Sequence, residues 1–442
     1  MKKIDVLILI EHVVRELEMA VLLKYYLEQK GYTVEIKSTK FNKEELVFKY
    51  RPKILVTPWA YSDIEMNFFK AFNYFSKNKT IIFNLHQEQI TNERNLMYML
   101  PKGEAKNVYH LSWGKKFTQL LLENGCSDEL IYELGNPRLD FYKKELLGFS
   151  ISKRELAKMY NLDPQKKWCL VIGNGIHHLT QEDIDLFESR GVGYKRIYGP
   201  AVEAYNKLLE WIETYLAENK DYEFIYRPHP SYANKDLEDQ RLSQLNKKYN
   251  SFKVIADYSL RDWIVNSDLS VSFFSTSAVE STVANKPHYL IRPQILSEDL
   301  EVSIFKNTTN KISSYTQFFS VLKSNNLELD PILLENINKE VNIVEGKLVT
   351  KQIADIISDF LSNEKKYIIG YKLNVFSFTK IFVKFVFKKM LYFAARKSSF
   401  IKSKIKNAKD IRWGYILKEG PDYFDDKDII EIQKKIDSLP FL

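Results

Sequence analysis

Tyr222-Glu-Phe-Ile-Tyr-Arg227-Pro228-His229-Pro230 is an aromatic and apolar run that stops in a turn locked by two prolines. Its first five residues, Tyr222–Tyr226, predict a buried strand, and the prolines fix the backbone that carries Arg227 and His229 beyond it. Ligands of open parallel sheets bind outside the C-terminal strand ends. A His held there donates to a phosphate and an Arg adds charge. The plainer alternative is a stiff surface turn with an incidental His.

The same grammar recurs on both sides of this stretch. Downstream, Leu269–Phe273 reads as a strand and Ala278–Ala284 as a helix, joined by Ser275-Thr276-Ser277. Helix starts expose free N–H groups, and hydroxyls there cap the helix or bind anions. Ordinary capping explains one Ser but not three hydroxyls in a row. Glu280, one turn further, is placed to accept hydrogen bonds from a ribose. Upstream, the strand Trp168–Ile172 runs into Gly173-Asn174-Gly175-Ile-His177-His178. The glycines permit a ligand to approach the backbone, although the spacing is not the dinucleotide fingerprint. Adjacent histidines with no partner acid make a poor metal set, so a substrate contact is expected of His177 and no metal is expected at all. The polar insert Thr180–Tyr198 reads as a loop over the site. Strands at Phe252–Ile255 and His288–Ile291 and a helix at Ala201–Ala217 complete this half.

The first 140 residues alternate in the same way. Strands are predicted at Ile4–Ile10, Thr33–Lys37, Lys53–Thr57, Thr80–Asn84 and Asn107–Leu111, with helices at Val13–Gln29 and from Ser62 to about Phe75. Strands separated by helices of this length imply βαβ units and a parallel sheet. The expected fold class is therefore α/β, with two Rossmann-like doubly wound domains at 1–150 and 151–345 facing a cleft. A basic helical extension follows at 346–442.

On the N-terminal side, strand four exits into His86-Gln87-Glu88-Gln89. A carboxylate at a strand tip is placed to act as base or nucleophile; a solvated loop acid is the even-odds alternative, and His86 is read as a substrate contact. Glu11, Arg15 and Glu16 follow strand one, where Arg15 and Glu16 either bind substrate hydroxyls or form a helix-surface ion pair. Gly135-Asn-Pro-Arg138-Leu-Asp140 predicts a rigid turn at the domain boundary, with an internal Arg138–Asp140 pair favoured over catalysis.

Composition narrows the classes. Charged residues make up 28% and hydrophobic ones 45%, which excludes a largely disordered chain. Two cysteines, Cys126 and Cys169, give no disulfide framework and suit a reducing compartment. The N-terminal apolar stretch is broken by Asp5 and stopped by Glu11, which predicts no secretory signal, and no run of about 18 apolar residues predicts a span. The expected location is the cytoplasm. Lys365–Arg412 holds 14 Lys or Arg and one acid, Asp410, while the whole chain carries only +8; the remainder is mildly acidic. Within residues 371–406, Lys380, Lys384 and Lys388 recur at helical spacing among Phe, Ile and Val. This suits the anionic inner face of the cytoplasmic membrane, at about 1 kcal/mol per Lys, whereas the bland reading packs the helix on the protein's own core. A nucleic-acid partner would explain the charge but not the cleft, and none is expected.

Taken in order, Arg15-Glu16, Trp113-Gly114, Gly135-Asn-Pro-Arg-Leu-Asp140, Arg227-Pro-His-Pro230 and Ser275-Thr-Ser-Ala-Val-Glu280 resemble the bacterial surface-carbohydrate (capsule and O-antigen) glycosyltransferases of GT-B fold. These include the β-Kdo transferases and share the His-Pro motif with bacterial sialyltransferases. The resemblance implies a CMP-activated 2-keto sugar acid as donor, such as Kdo or a nonulosonic acid. It also implies a surface polysaccharide or lipid-linked glycan as acceptor, no cofactor, and a phosphate held by His229 and the Ser275–Ser277 cluster, with Arg227 and Pro230 expected at the same nucleotide site. Family members carry an acidic pair followed by Gly after strand four. Here only Glu88 is acidic, which brings in Asp63 and Glu11 as alternative acids. Two competing readings remain: a CDP-glycerol or CDP-ribitol polyol-phosphate transferase, and a non-catalytic glycan-assembly scaffold.

Overall fold

Period-2 and fully apolar strands next to 3.6-period helices can bury both faces of a sheet only by layering helices on each side. The computed structural model does this twice. It describes residues 1–41, 43–74, 80–191, 193–230, 233–343, 346–363, 375–406, 417 and 422–440. The first sheet contains β1 (Lys2–Ile10), β2 (Val34–Ser38), β3 (Tyr50–Thr57), β4 (Ile81–Asn84), β5 (Tyr109–Ser112) and β6 (Ile131–Glu133). Its order is β2-β1-β3-β4-β5-β6, and all pairs are parallel. The second contains β7 (Lys167–Ile172), β8 (Tyr222–Arg227), β9 (Phe252–Val254), β10 (Leu269–Ser272), β11 (His288–Ile291) and β12 (Lys311–Ile312). Its order is β12-β11-β10-β7-β8-β9, again parallel throughout. The chain reverses direction across the first sheet at β1/β3 and across the second at β7/β10, the places where such sheets open a crevice for ligand.

Helix α1 (Val13–Gln29) has the bounds its periodicity predicts. It buries Leu17, Ala20, Val21 and Leu27 against β1 and β2, each buried Leu or Val contributing about 1.5–3 kcal/mol. Helices α2 (Lys43–Lys49) and α3 (Asp63–Lys70) flank β3. The insert at 180–198, expected to be a loop, is mostly helical. Thr180 opens a helix at Gln181–Ser189 with a capping box, and a second helix runs Tyr194–Glu218, absorbing the predicted Ala201–Ala217. The capping box supplies the local reason for the first: Thr180 and Asp183 satisfy each other's backbone N–H groups.

Helices α4 (Ala233–Glu238), α5 (Leu260–Asn266) and α6 (Ala278–Val283) follow β8, β9 and β10. Past residue 346 the chain returns to the first sheet. Helices α7 (Val349–Ser362) and α10 (Asp426–Asp437) bury Ile353, Ile357, Phe360, Ile429 and Ile436 in the same core as Val6, Ile8 and Leu23. Much of the segment read as an extension thus completes the N-terminal domain. Between them lie α8 (Val375–Lys397) and α9 (Ser399–Lys406); residues 371–374 of the predicted basic stretch fall outside the described residues. Among the described residues no helix is long and apolar enough to cross a membrane.

Candidate active site

The two crevices face each other across one cavity of about 530 Å³, lined from the N-terminal side by His12, Arg15, Glu18 and Arg138. From the C-terminal side come Gly173 after β7, Arg227–Pro230 after β8 and Ser275–Ser277 with Glu280 after β10. The strand-end grammar therefore brings the predicted nucleotide motifs to one place. Gly173 is required by packing: a Cβ there would lie 2.7 Å from the Tyr226 hydroxyl. Asn174 and Gly175 stand behind the wall, where the Asn174 carboxamide accepts the Ile176 N–H (2.8 Å) and Gly175 takes a left-handed φ of 68°.

His229 is half-buried, and burial followed by the charges of Arg15 and His12 pushes its pKa down to about 4. At neutral pH the ring is uncharged and offers one N–H. Ser275 accepts the Ser277 N–H (3.2 Å), folding the hydroxyl cluster into a tight turn, and the Ser277 side chain makes no capping bond to α6. Burial raises the pKa of Glu280 despite the opposing pull of Arg138.

Arg227 departs from its expected role. Its guanidinium is buried and donates to the carbonyls of Ile255, Asp257 and Tyr258 at 2.6–2.9 Å. It braces the loop after β9 and is not free to grip a phosphate; burial lowers its pKa to about 10. The Arg138–Asp140 pair does not form either. Asp140 is fully buried and accepts the N–H groups of Val349 and Thr350 (2.9 and 2.7 Å), capping α7, while Arg138 sits over the Trp113 ring on the cavity wall.

On the N-terminal side, Glu88 is half-buried and ion-paired with Arg15. It does not itself line the cavity, and meets it through Arg15, which does. Gln89 braces this loop, accepting the Trp113 N–H (2.8 Å) and donating to the carbonyls of His86 and Leu111. Glu11 accepts the Trp59 indole N–H at 2.8 Å. Three predicted residues do not line the cavity. Glu16 is buried and accepts the Glu11 N–H (2.7 Å). His86 is fully buried at φ 47°, with its Nε2 2.9 Å from His110 Nδ1. Asp63 is a surface residue that accepts the Glu104 N–H (2.8 Å) at the start of α3.

His177 also leaves the cavity. It stacks on Tyr205, and both His177 and His178 aim Nε2 at one oxygen of the fully buried Asp236, at 3.1 and 2.8 Å. A partner acid therefore exists for the histidine pair. The ligand-type atoms of His177, His178 and Asp236 lie within 4.8 Å of one another, and the second Asp236 oxygen is buried without a hydrogen-bond partner.

Glu18, Arg261 and Asp422 line the cavity and carried no sequence signal. Arg261 on α5 reaches across the cleft to Glu18 on α1 with two contacts, 2.5 and 3.3 Å, tying the domains together. Asp422, on the returning C-terminal segment, accepts the Val13 N–H (3.2 Å) at the start of α1 and pairs with Lys40 (2.7 Å) and His12 (3.3 Å). Burial works against its charge, but His12 and Lys40 prevail and hold its pKa at about 2.

No family model matches the chain, and no curated protein does. Solved structures match in fold. The UDP-GlcNAc 2-epimerase of Neisseria meningitidis bound to UDP-GlcNAc aligns over 82% of this chain and 100% of its own, with a TM-score of 0.52 and 11% identity. MnaA of S. aureus, solved with UDP, aligns over 84% and 100%, with a TM-score of 0.50 and 13% identity. The two facing parallel sheets are the two-domain GT-B-like arrangement.

Proposed function

We propose that the protein is a metal-independent glycosyltransferase whose C-terminal face holds a nucleotide-activated sugar and whose N-terminal face receives a surface-polysaccharide or lipid-linked glycan acceptor. The observation that supports this reading is the convergence of His229, the Ser275–Ser277 hydroxyls and Gly173 on one interdomain cavity of about 530 Å³, within the size range of small-ligand pockets. A neutral imidazole N–H and three hydroxyls suit a leaving phosphate, whose charge grows as the bond from anomeric carbon to phosphate oxygen breaks. The acceptor oxygen then bonds to that carbon. In one route Glu88 takes the acceptor's proton as its oxygen displaces the phosphate; in the other Glu88 displaces the phosphate, is itself displaced by the acceptor oxygen, and the departed nucleotide phosphate takes the acceptor's proton, with Arg15 holding the carboxylate in place.

A CMP-linked 2-keto sugar acid is the donor we favour, on the order of the motifs. Arg15 and Arg138 on the cavity wall suit its carboxylate. The aligned structures hold UDP-GlcNAc and UDP, which makes a UDP-sugar the competing donor. A mass-spectrometric screen of CMP-sugars, UDP-sugars and CDP-polyols, each with and without EDTA, tests the reading. Consumption of a CMP-sugar acid that EDTA does not slow is expected; turnover of CDP-polyol alone would sink it. If neither CMP, CDP nor UDP raises the melting temperature, the scaffold reading replaces it.

A further inference from the structure

Helices α8 and α9 carry nine Lys or Arg and no acid between residues 375 and 406. One side of α8 is already occupied. Phe378, Ile381 and Phe385 lie on the N-terminal domain, Phe48 stacks on Phe385 with ring centroids 4.8 Å apart, and Lys388 pairs with the buried Glu44 of α2 at 2.8 Å. The helix is therefore fixed to the protein by its inner face, as the bland reading of its sequence expects. Its outer face is not polar. Phe376, Val383, Phe387, Met390 and Phe393 follow one another at intervals of seven, four, three and three, and Phe400 continues the row on α9; Phe376 is 79% and Phe400 69% exposed.

A helix packed on its own domain ordinarily turns a charged face to water. This one turns outward a row of large apolar side chains flanked by Lys380, Lys384 and Lys389, and exposed apolar rows of this kind mark contact surfaces. We propose that the outer face of α8 and α9 docks on an anionic phospholipid bilayer. The phenylalanines enter the boundary between headgroups and acyl chains, and the lysines meet the lipid phosphates. Charge complementarity selects this occupant. A second copy of the same face would bring lysines against lysines with no acid between them, and a nucleic acid would neutralise the lysines while leaving the phenylalanine row in water. The inference rests on these helices alone and stands whichever donor the cleft takes.

Co-sedimentation of the full chain with vesicles of phosphatidylcholine alone, or with 30% phosphatidylglycerol on the order used for such surfaces, tests it. Partitioning into the anionic vesicles is expected to be at least about tenfold stronger and to fall on raising NaCl from 0.1 to about 0.5 M. Replacing Lys380, Lys384 and Lys389 with Glu should cut it about a hundredfold or more, at about fivefold per Lys removed. V383S/F387S/M390S should also release the protein, while a nucleotide-induced rise in melting temperature, which reports the fold and the cleft, stays as in the parent. Equal partitioning on both vesicles, or unchanged partitioning of either variant, overturns the proposal. So does sedimentation equilibrium showing a dimer that V383S/F387S/M390S dissolves in a protein that ignores anionic vesicles.

Discussion

The two walls of the cleft are built on opposite principles. The C-terminal wall is made of backbone: prolines, a glycine pressed against Tyr226, and a serine turn fix donors before any ligand arrives. Even Arg227 serves there as a brace on three carbonyls. The N-terminal wall is made of paired charges, Arg15 with Glu88 and Asp422 with Lys40 and His12, and its Glu18 pairs across the cleft with Arg261. A phosphate site gains from rigid, uncharged donors that need no rearrangement. A wall that must handle protons gains from carboxylates whose partners can be exchanged. The proposed function assigns binding to the first wall and chemistry to the second, and each half of that assignment can be tested.

The largest expected effect is on the rigid wall. His229→Ala should lower kcat/KM by about 10²–10³-fold and abolish the nucleotide-induced rise in melting temperature; a full thermal response in the variant would show that the donor lies elsewhere. Next comes acid. Both domains bury uncharged histidines, and burial holds His110 at about 4 and His288 at about 3. A folded pKa below the unfolded value near 6.5 means that the unfolded chain binds the proton first. The stability is complete above about pH 6.5 and is lost as pH falls toward 4, by about 3 kcal/mol for His110. Urea titrations of the parent and His110→Asn between pH 7.5 and 4 should show a shallower pH slope in the variant. Equal slopes would remove His110 from the account.

Glu88→Gln should lower kcat by about a hundredfold with nucleotide affinity unchanged, measured by single-turnover kinetics beside calorimetry. If affinity falls with rate, the division of labour between the walls is wrong. The smallest effect is expected at the chain's return: Asp422→Asn should change KM by about threefold, since the neutral amide still accepts from Val13 and loses only the pairing with Lys40 and His12.

How much of this could be read beforehand follows the same divide. Strand-end motifs are local, and β7, β8 and β10 stop within a residue of where their apolar runs do. β6 and β12, three and two residues long, are too short to leave a pattern. Side-chain aim is a different matter. Nothing in Arg-Pro-His-Pro tells whether the guanidinium faces a phosphate or the carbonyls of the next loop, and nothing in Gly-Asn-Pro-Arg-Leu-Asp tells that Asp140 caps a helix two hundred residues on. The His177-His178 pair likewise meets its acid, Asp236, only through the packing of α4. The paired-charge wall was the least legible because its partners come from distant parts of the chain, Asp422 from near its end.

That return of the chain to α1 also sets an order of events on the ribosome. The first sheet is synthesised before the second, yet α7 and α10, which close its core, are made after both. The second sheet lies within one unbroken stretch from Lys167 to Ile312 and needs nothing later to pair its strands. The domain born first is therefore finished last. Nascent chains halted after residue 345 should protect the second sheet from protease while β1–β6 remain open to it, and equal protection of both would reverse that sequence.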